Sequence, residues 1–376
     1  MTVARTGLRV LVRGAGIVGL AVAEELLRRG HDVTVVDPAP GSGASHAAAG
    51  MLTPACEVGW GEGALLDLGV RGARLWPAYA RRLGVPLRTT GTLLVGLDHG
   101  DLQEVERQAA VLGSLGRGVD VLDARAVRDA EPGLGRVAGG ALLADDHAVD
   151  PRAVVTALRE RVPVLPQVPA GPPTADVVVL ATGARLPAPY DQLVRGVRGE
   201  ILRVRSDDPP GRVVRGWVRG EPVYLVPRAA AASGTTPGPG ATTGVEVVVG
   251  ATSEEHDAPP VVTVGGVGRL LDAARAMWPA VERAELVEAC ARDRPATPDH
   301  LPLVGAAPAT DVAPAPRVVL AAGHFRHGVL LAPLTAALVA DHLETGRVEP
   351  ALDPARLRPP TEGATPCPTS SSTERP

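Results

Sequence analysis

Apolar residues along this chain recur in two rhythms, and the changes of rhythm mark out its elements. Leu8 to Val12 is an apolar run of strand length; after a glycine-rich turn, Val18, Ala21, Val22 and Leu26 recur at helical spacing between Ile17 and Arg28. Gly30 ends that helix, and Val33 to Val36 is a second strand closing at Asp37, so a βαβ unit is predicted at the start. Val177 to Leu180, ahead of Ala181-Thr182-Gly183, and Val318 to Ala322, ahead of Gly323, are the continuous apolar runs that strands buried on both faces carry. With the first strand they predict one parallel sheet assembled from distant segments.

Thr92 to Leu97, Ile201 to Val204, Val223 to Val226 and Val245 to Val249 read as strands of a second, more antiparallel sheet. Helical patterns occupy Leu65 to Leu83, Asp101 to Leu112, Pro151 to Arg161, Gly265 to Met277 and Leu330 to Glu344. The expected division is discontinuous: a nucleotide-binding unit from residues 1–84, 146–196 and 293–350, an inserted domain from 85–145 and 197–292, and a tail at 351–376 that is expected to be disordered after its first few residues. Residues 229–244, small and rich in Gly and Pro, are expected to form a flexible loop.

Composition narrows the possibilities. The 376 residues and 45% apolar content suffice for a large core, yet only 2% are aromatic, so Ala, Val and Leu must fill it. A net charge of -4 gives no basic excess, which argues against nucleic acid or an anionic membrane as partner and favours a small molecule. Three cysteines, Cys56, Cys290 and Cys367, are too few and scattered for a disulfide framework or a zinc site; no metal is expected, and the cytoplasm is the expected compartment. The apolar stretch from Leu8 to Leu27 is broken by Arg13, Glu24 and Glu25, so export is not expected, and no window offers the run of about 20 apolar residues that a membrane span needs.

Two segments carry chemistry. Gly14-Ala15-Gly16-Ile17-Val18-Gly19 is a GxGxxG between strand and helix, with Asp37 closing the next strand 18 residues after the last glycine. Gly14 would make the tight turn, Gly16 would admit a pyrophosphate to the backbone, Gly19 would let helix and sheet approach, and Asp37 would bind a ribose. This motif serves FAD and NAD alike. Gly43 to Leu52, with its run of small residues, offers closely spaced backbone N–H groups to a planar ring; taken alone it also reads as an alanine-rich helix start.

Four blocks carry a resemblance: VRGAGIVGLAVAEELLRRGHDVTVVD, SHAAAGML, PVYLVPR with VVVGATSEE, and RPATPDHLPLVG with AAGHFRHGVLLAPLTA. Over about residues 8 to 346 the chain resembles the D-amino acid oxidase family of FAD enzymes, in its glycine oxidase branch. The resemblance implies an α/β fold, a Rossmann-like FAD-binding domain with an inserted antiparallel-sheet substrate domain. It implies FAD contacts at Gly14, Ala15, Gly16, Ile17, Val18, Gly19, Asp37, Pro38, Ala44, Ser45, Ala49, Gly50, Met51 and Gly183. A second set is expected at the turn and helix start His324, Phe325, Arg326, His327, Gly328, Val329 and Leu330, with Val168 touching the adenine side.

Arg294, Tyr224 and Arg326 are the implied anchor for a substrate carboxylate, a role suited to a planar guanidinium with two parallel donors. Singly, each has a plainer reading: Arg294 as an ion-pair partner of Asp293 or Asp299, Tyr224 as a core residue, Arg326 as a surface-turn arginine. Small apolar neighbours place Arg326 in a poorly solvated setting that calls for an anion. The implied partners are a small amino acid and molecular oxygen, and relatives of this kind form homo-oligomers. Secondary or D-amino acid oxidases or dehydrogenases, and a non-catalytic FAD-binding protein, stand as rival readings. The segment Val162 to Ala175 is shorter than the family's hairpin there, Ser253 replaces a bulkier residue of some relatives, and His46 reads as a solvated bystander.

Overall fold

The computed structural model describes residues 7–54, 63–116, 118–168, 175–228, 244–308 and 316–357. β1 (Arg9–Arg13) leads through the glycine turn into α1 (Ile17–Arg28), and β2 (Asp32–Val36) completes the βαβ unit. The single turn α2 (Ala44–Ala47), β3 (Met51–Leu52) and the long α3 (Gly63–Leu83) follow. Next come β4 (Leu87–Arg88), β5 (Thr92–Gly96), α4 (His99–Ser114), β6 (Asp120–Asp123), α5 (Ala124–Ala130), β7 (Gly139–Leu143) and β8 (His147–Val149). The chain returns through α6 (Pro151–Arg159), β9 (Val164–Leu165) and β10 (Val177–Leu180). It leaves again in β11 (Arg195–Ser206), β12 (Val213–Val218), β13 (Glu221–Pro227), β14 (Val245–Gly250), α7 (Val264–Met277) and β15 (Glu285–Ala296). β16 (Leu303–Ala306), β17 (Arg317–Ala322) and α8 (Gly328–Thr345) close it. Asp98, Asp150 and Thr263 cap α4, α6 and α7 by accepting a backbone N–H of the first turn, which fixes where each helix begins.

The expected parallel sheet forms. Its order is β16-β17-β10-β1-β2-β9, parallel throughout except for the β16–β17 pair, and β1, β10 and β17 are direct neighbours, with Val10 opposite Val177 and Val177 opposite Arg317. α1 and α8 pack on it; Leu20, Ala23 and Leu26 from α1 share a core with Val339 and Ala340 from α8. The second sheet has eight strands in the order β15-β11-β14-β13-β12-β5-β7-β6, antiparallel save for the β5–β12 pair. Leu270, Ala274 and Met277 recur at helical spacing and lay one face of α7 on Leu202, Leu225 and Val249 of this sheet. Its opposite face meets the cofactor loop through Ala49, Ile201, Val226 and Val248.

Two expected domain edges need correction. β15 was not foreseen as a strand, yet it pairs with β11 from Arg195 opposite Ala296 to Arg205 opposite Glu285, so the edge placed between 292 and 293 falls inside a continuous strand. The edge between 196 and 197 likewise falls inside β11. The first few residues of the tail, 351–357, pack as short 3-10 turns; Leu352 is buried in the first core, and Arg356 donates to Asp299 Oδ2 at 2.8 Å and Leu301 O at 2.6 Å. The rest of the tail, and the loop expected at 229–244 apart from Gly244, lie outside the described residues. No helix among the described residues is long and apolar enough to cross a membrane.

Candidate active site

The carboxyl ends of β2, β1, β10 and β17 feed one cavity of about 1310 Å³, roofed by the cofactor-facing side of the eight-stranded sheet. Ligand crevices of open α/β sheets lie at this strand end. The volume exceeds the ordinary range of about 300–1000 Å³ for a small-molecule pocket, so there is room for a dinucleotide with a second small molecule beside it.

The glycine motif is built as its chemistry requires. A Cβ on Gly14, whose φ is +105°, would stand 2.3 Å from Ala181 O; one on Gly19 would stand 2.0 Å from Gly14 O, so α1 presses directly on the turn. A Cβ on Gly16 would meet Ser45 Oγ, at 3.2 Å, as its nearest neighbour, and its other side faces the cavity. Asp37 binds the turn to the end of β2: Oδ2 accepts from Ala15 N at 2.7 Å and Oδ1 from Ala39 N at 2.8 Å. Each carboxylate oxygen keeps a second lone pair for a ribose hydroxyl. Ser45 Oγ accepts from Ile17 N at 3.0 Å, satisfying one of the orphan donors at the start of α1.

Of the expected cofactor residues, Gly14, Gly16, Ile17, Val18, Asp37, Pro38, Ala44, Ser45, Ala49, Gly50, Met51, Gly183, His324, Phe325, Gly328 and Val329 all line this cavity. Ala15 in the turn and Gly19 in the first turn of α1 stand behind it; His327 and Leu330 are buried at the start of α8, where Leu330 O accepts from Trp76 Nε1 at 3.0 Å. Val168 is 52% exposed and outside the cavity lining, beyond β9, which joins the sheet edge beside β2.

Tyr224, Arg294 and Arg326 line the same cavity. Tyr224 leaves β13 on the cofactor side and lies over Gly250, where a Cβ would stand 2.3 Å from the phenol oxygen. Arg294 lies across Gly199, and its Nη1 donates to Arg198 O at 3.2 Å and Thr252 O at 3.1 Å, which fixes the guanidinium plane. Of the aspartates in the plainer ion-pair reading of Arg294, Asp293 also pairs with Arg198 at 2.6 Å and Asp299 with Arg356 at 2.8 Å. Phe325 N donates to Pro295 O at 2.6 Å, joining the β17–α8 turn to the strand that carries Arg294.

The poorly solvated setting expected for Arg326 is not what the structure holds. Arg326 is exposed at the cavity rim, its guanidinium 5.2 Å from the Phe325 ring centre and 3.5 Å from Ser253 Oγ. Phe325 adopts a left-handed φ of 45°, and the turn carries the next side chain outward. His46 is no bystander either: its Nε2 lies 2.9 Å from Glu288 Oε1 and 2.8 Å from Arg152 Nη2. His46, Glu288 and Cys290 lie within metal-ligand reach of one another, but the Arg152 guanidinium, 2.8 Å from Glu288 Oε2, occupies the position with positive charge. Arg292 and Arg215 were missed; both line the cavity, and Arg292 Nε donates to Ser42 O at 2.7 Å. Recognising β15 as a strand would have found Arg292, two residues from Arg294 and therefore on the same face.

Residues 9–342 match the FAD dependent oxidoreductase family DAO. The chain belongs to this family. It is 36% identical over 360 residues to the protein named as the thiamine biosynthesis oxidoreductase ThiO in Rhizobium etli, covering 91% of this chain and 98% of that one. It is 30% identical over 379 residues to the glycine oxidase of Geobacillus kaustophilus, covering 92% and 94%. The crystal structure of glycine oxidase from that organism superposes with a TM-score of 0.73 at 27% identity, covering 90% of this chain and 95% of that one. FAD is the cofactor of this DAO-family chain, and the cavity fits it: an open glycine face at Gly16, the starts of α1 and α8 pointing inward, and a run of small residues at Ala47 to Gly50.

Proposed function

We propose that this DAO-family oxidoreductase deaminates glycine oxidatively, with sarcosine or small D-amino acids as secondary substrates. The observation that carries the reading is that Tyr224 and Arg294, from opposite regions of one sheet, line the same cavity as the glycine turn. The names of the two relatives support glycine as the substrate and thiamine biosynthesis as the use of the product, which we read as dehydroglycine supplied for the thiazole ring.

FAD, when bound, supplies the hydride acceptor and passes the electron pair on to oxygen. The protein's own part is positioning. Arg294 grips the substrate carboxylate through its Nε and Nη2 fork while its Nη1 bonds hold the plane still, and the Tyr224 hydroxyl donates to the same carboxylate. His324 is fully buried with Nε2 2.9 Å from Thr335 Oγ1, and burial, then His327, pulls its pKa down to about 3, so it remains neutral at working pH and adds no competing cation near the start of α8. Apolar Ile201 and Ala251, packed beside Tyr224, keep water from the reacting carbon. Glycine, oxygen and water give glyoxylate, ammonia and hydrogen peroxide, through an imine that water hydrolyses.

Anaerobic addition of glycine to the yellow holoenzyme tests this: the visible flavin band should bleach and return with peroxide when air is admitted. A panel of glycine, sarcosine, D-alanine and D-proline ranks the substrates. A holoenzyme bleached by none of them would refute the proposal; one bleached only by D-proline would move it to the secondary-amine reading.

A further inference from the structure

We propose that Arg228 is a positioning residue that sets the backbone of Ala48–Gly50 toward the flavin from across the junction of the two sheets. The inference rests on the cavity being the seat of the FAD-dependent oxidation described above.

Arg228 directly follows β13, the strand that carries Tyr224, and is 7% exposed. Its Nη1 donates to Ala49 O at 2.6 Å and to Val149 O at 3.3 Å, and its Nη2 reaches Ala48 O at 3.4 Å. Asp150 and Glu246 stand off from Nε at 4.0 and 3.9 Å, so carbonyl dipoles rather than a close ion pair receive its hydrogen bonds. Its own backbone is fixed as well, with N donating to Glu246 O at 2.8 Å and O accepting from Arg88 Nη2 at 2.9 Å. A guanidinium taken from water costs several kcal/mol unless its donors are satisfied. A buried one spent on three carbonyls therefore marks those carbonyls as worth fixing.

The consequence follows from peptide geometry. A peptide unit is planar and trans, so its C=O and N–H point in opposite directions. Turning the carbonyls of Ala48 and Ala49 onto Arg228 turns the N–H groups of Ala49 and Gly50 away from it. Both residues line the cavity, and among the described residues neither N–H donates to a backbone carbonyl. Two preoriented donors are thus presented to an electron-rich ring edge, where hydrogen bonds strengthen as negative charge accumulates on reduction. The loop's own alanines and glycine have no polar side chains with which to hold that orientation. Lysine would replace this function only in part: the planar fork spans two chain segments at once, whereas an ammonium is a single pivot.

The test compares holoenzymes of wild type, Arg228→Lys and Arg228→Met by flavin midpoint potential, visible spectrum and single-turnover reduction by glycine. Arg228→Met should make reduction at least about tenfold less favourable, a shift of about 30 mV to more negative potential for a two-electron couple. It should also shift the flavin band and lower the reduction rate at saturating glycine, with less than about threefold change in half-saturation, and Arg228→Lys should fall between. Unmoved potential and spectrum with only a lower melting temperature would overturn the inference and leave Arg228 a tie between sheets. If Arg228→Met yields no folded protein, amide exchange of Ala49 and Gly50 in the wild-type holoenzyme decides: slow exchange supports the inference and fast exchange at both overturns it. Wild type that takes up FAD but is not reduced by glycine would overturn the substrate reading, and the potential measurement, which needs no substrate, would still judge Arg228.

Discussion

Replacing Arg294 by alanine removes a guanidinium that the fold holds against the cavity by two hydrogen bonds from Nη1. Two charge-assisted hydrogen bonds to the substrate carboxylate, at about 1.5–3 kcal/mol each, put about 3–6 kcal/mol at stake. At tenfold per about 1.4 kcal/mol, kcat/KM for glycine should fall by about two to four orders of magnitude. The carboxylate keeps its charge throughout the reaction, so ground state and transition state lose nearly the same binding and most of the loss appears in KM, with kcat falling less than about tenfold. Arg198 O and Thr252 O lose their Nη1 donors, a cost of about 1 kcal/mol each, which the folded holoenzyme should survive with its yellow colour intact. Anaerobic stopped-flow reduction over a range of glycine concentrations separates the two constants. A KM within about threefold of wild type, at normal FAD content, would refute the anchor and the arithmetic with it.

His324→Gln tests the buried imidazole. Burial, then His327, lowers its pKa to about 3, so the folded protein binds fewer protons than the unfolded chain below about pH 6.5. The stability gained from keeping it neutral is complete above about pH 6.5 and is lost, at up to about 1.4 kcal/mol per pH unit, as pH falls toward about 3. The variant's melting temperature should therefore fall less steeply than wild type's between about pH 6 and 4, and parallel curves would contradict the burial argument. Asp37→Ala leaves Ala15 N and Ala39 N without their acceptor and should weaken FAD binding by more than about tenfold, read as flavin loss on dilution. Ser45→Ala removes the acceptor at Ile17 N; at about 1 kcal/mol it should raise the FAD dissociation constant about fivefold and leave glycine KM unchanged. Gly19→Ala would drive a Cβ to 2.0 Å from Gly14 O, forcing α1 off the turn, and the protein should purify without colour.

The parts of this fold legible in the sequence are those whose signal is local. β1, β2, β10 and β17 lie side by side in the parallel sheet with their central residues buried or half-buried, so each is a run of β-branched or apolar residues, and the structure returns them within a residue or two. The cofactor turn is legible for the same reason, since strand, glycines, helix and acid all lie within 29 consecutive residues, Arg9 to Asp37. β15 is illegible locally. Glu285, Glu288, Arg292, Asp293 and Arg294 give it the composition of a solvated loop, and it is a strand because β11 supplies its one row of partners. Missing it misplaced an expected domain edge and hid Arg292. Arg326 shows the complementary failure: apolar neighbours in sequence suggest apolar surroundings, but a left-handed Phe325 turns the next side chain outward, and composition does not encode that.

Arg228 makes the limit general. It ends the segment PVYLVPR, yet nothing around it in sequence distinguishes a surface arginine at a strand end from a buried one, because Ala49, the residue it holds, lies 179 positions away. Side chains that face a ligand from their own turn can be read from motif and spacing. Side chains that fix another segment's backbone are defined only once two sheets meet. In a site built where a parallel sheet abuts an antiparallel one, the second kind determines how sharply the first is aimed, which is why the flavin potential of an Arg228 variant probes this architecture more directly than the loss of any residue in the glycine turn.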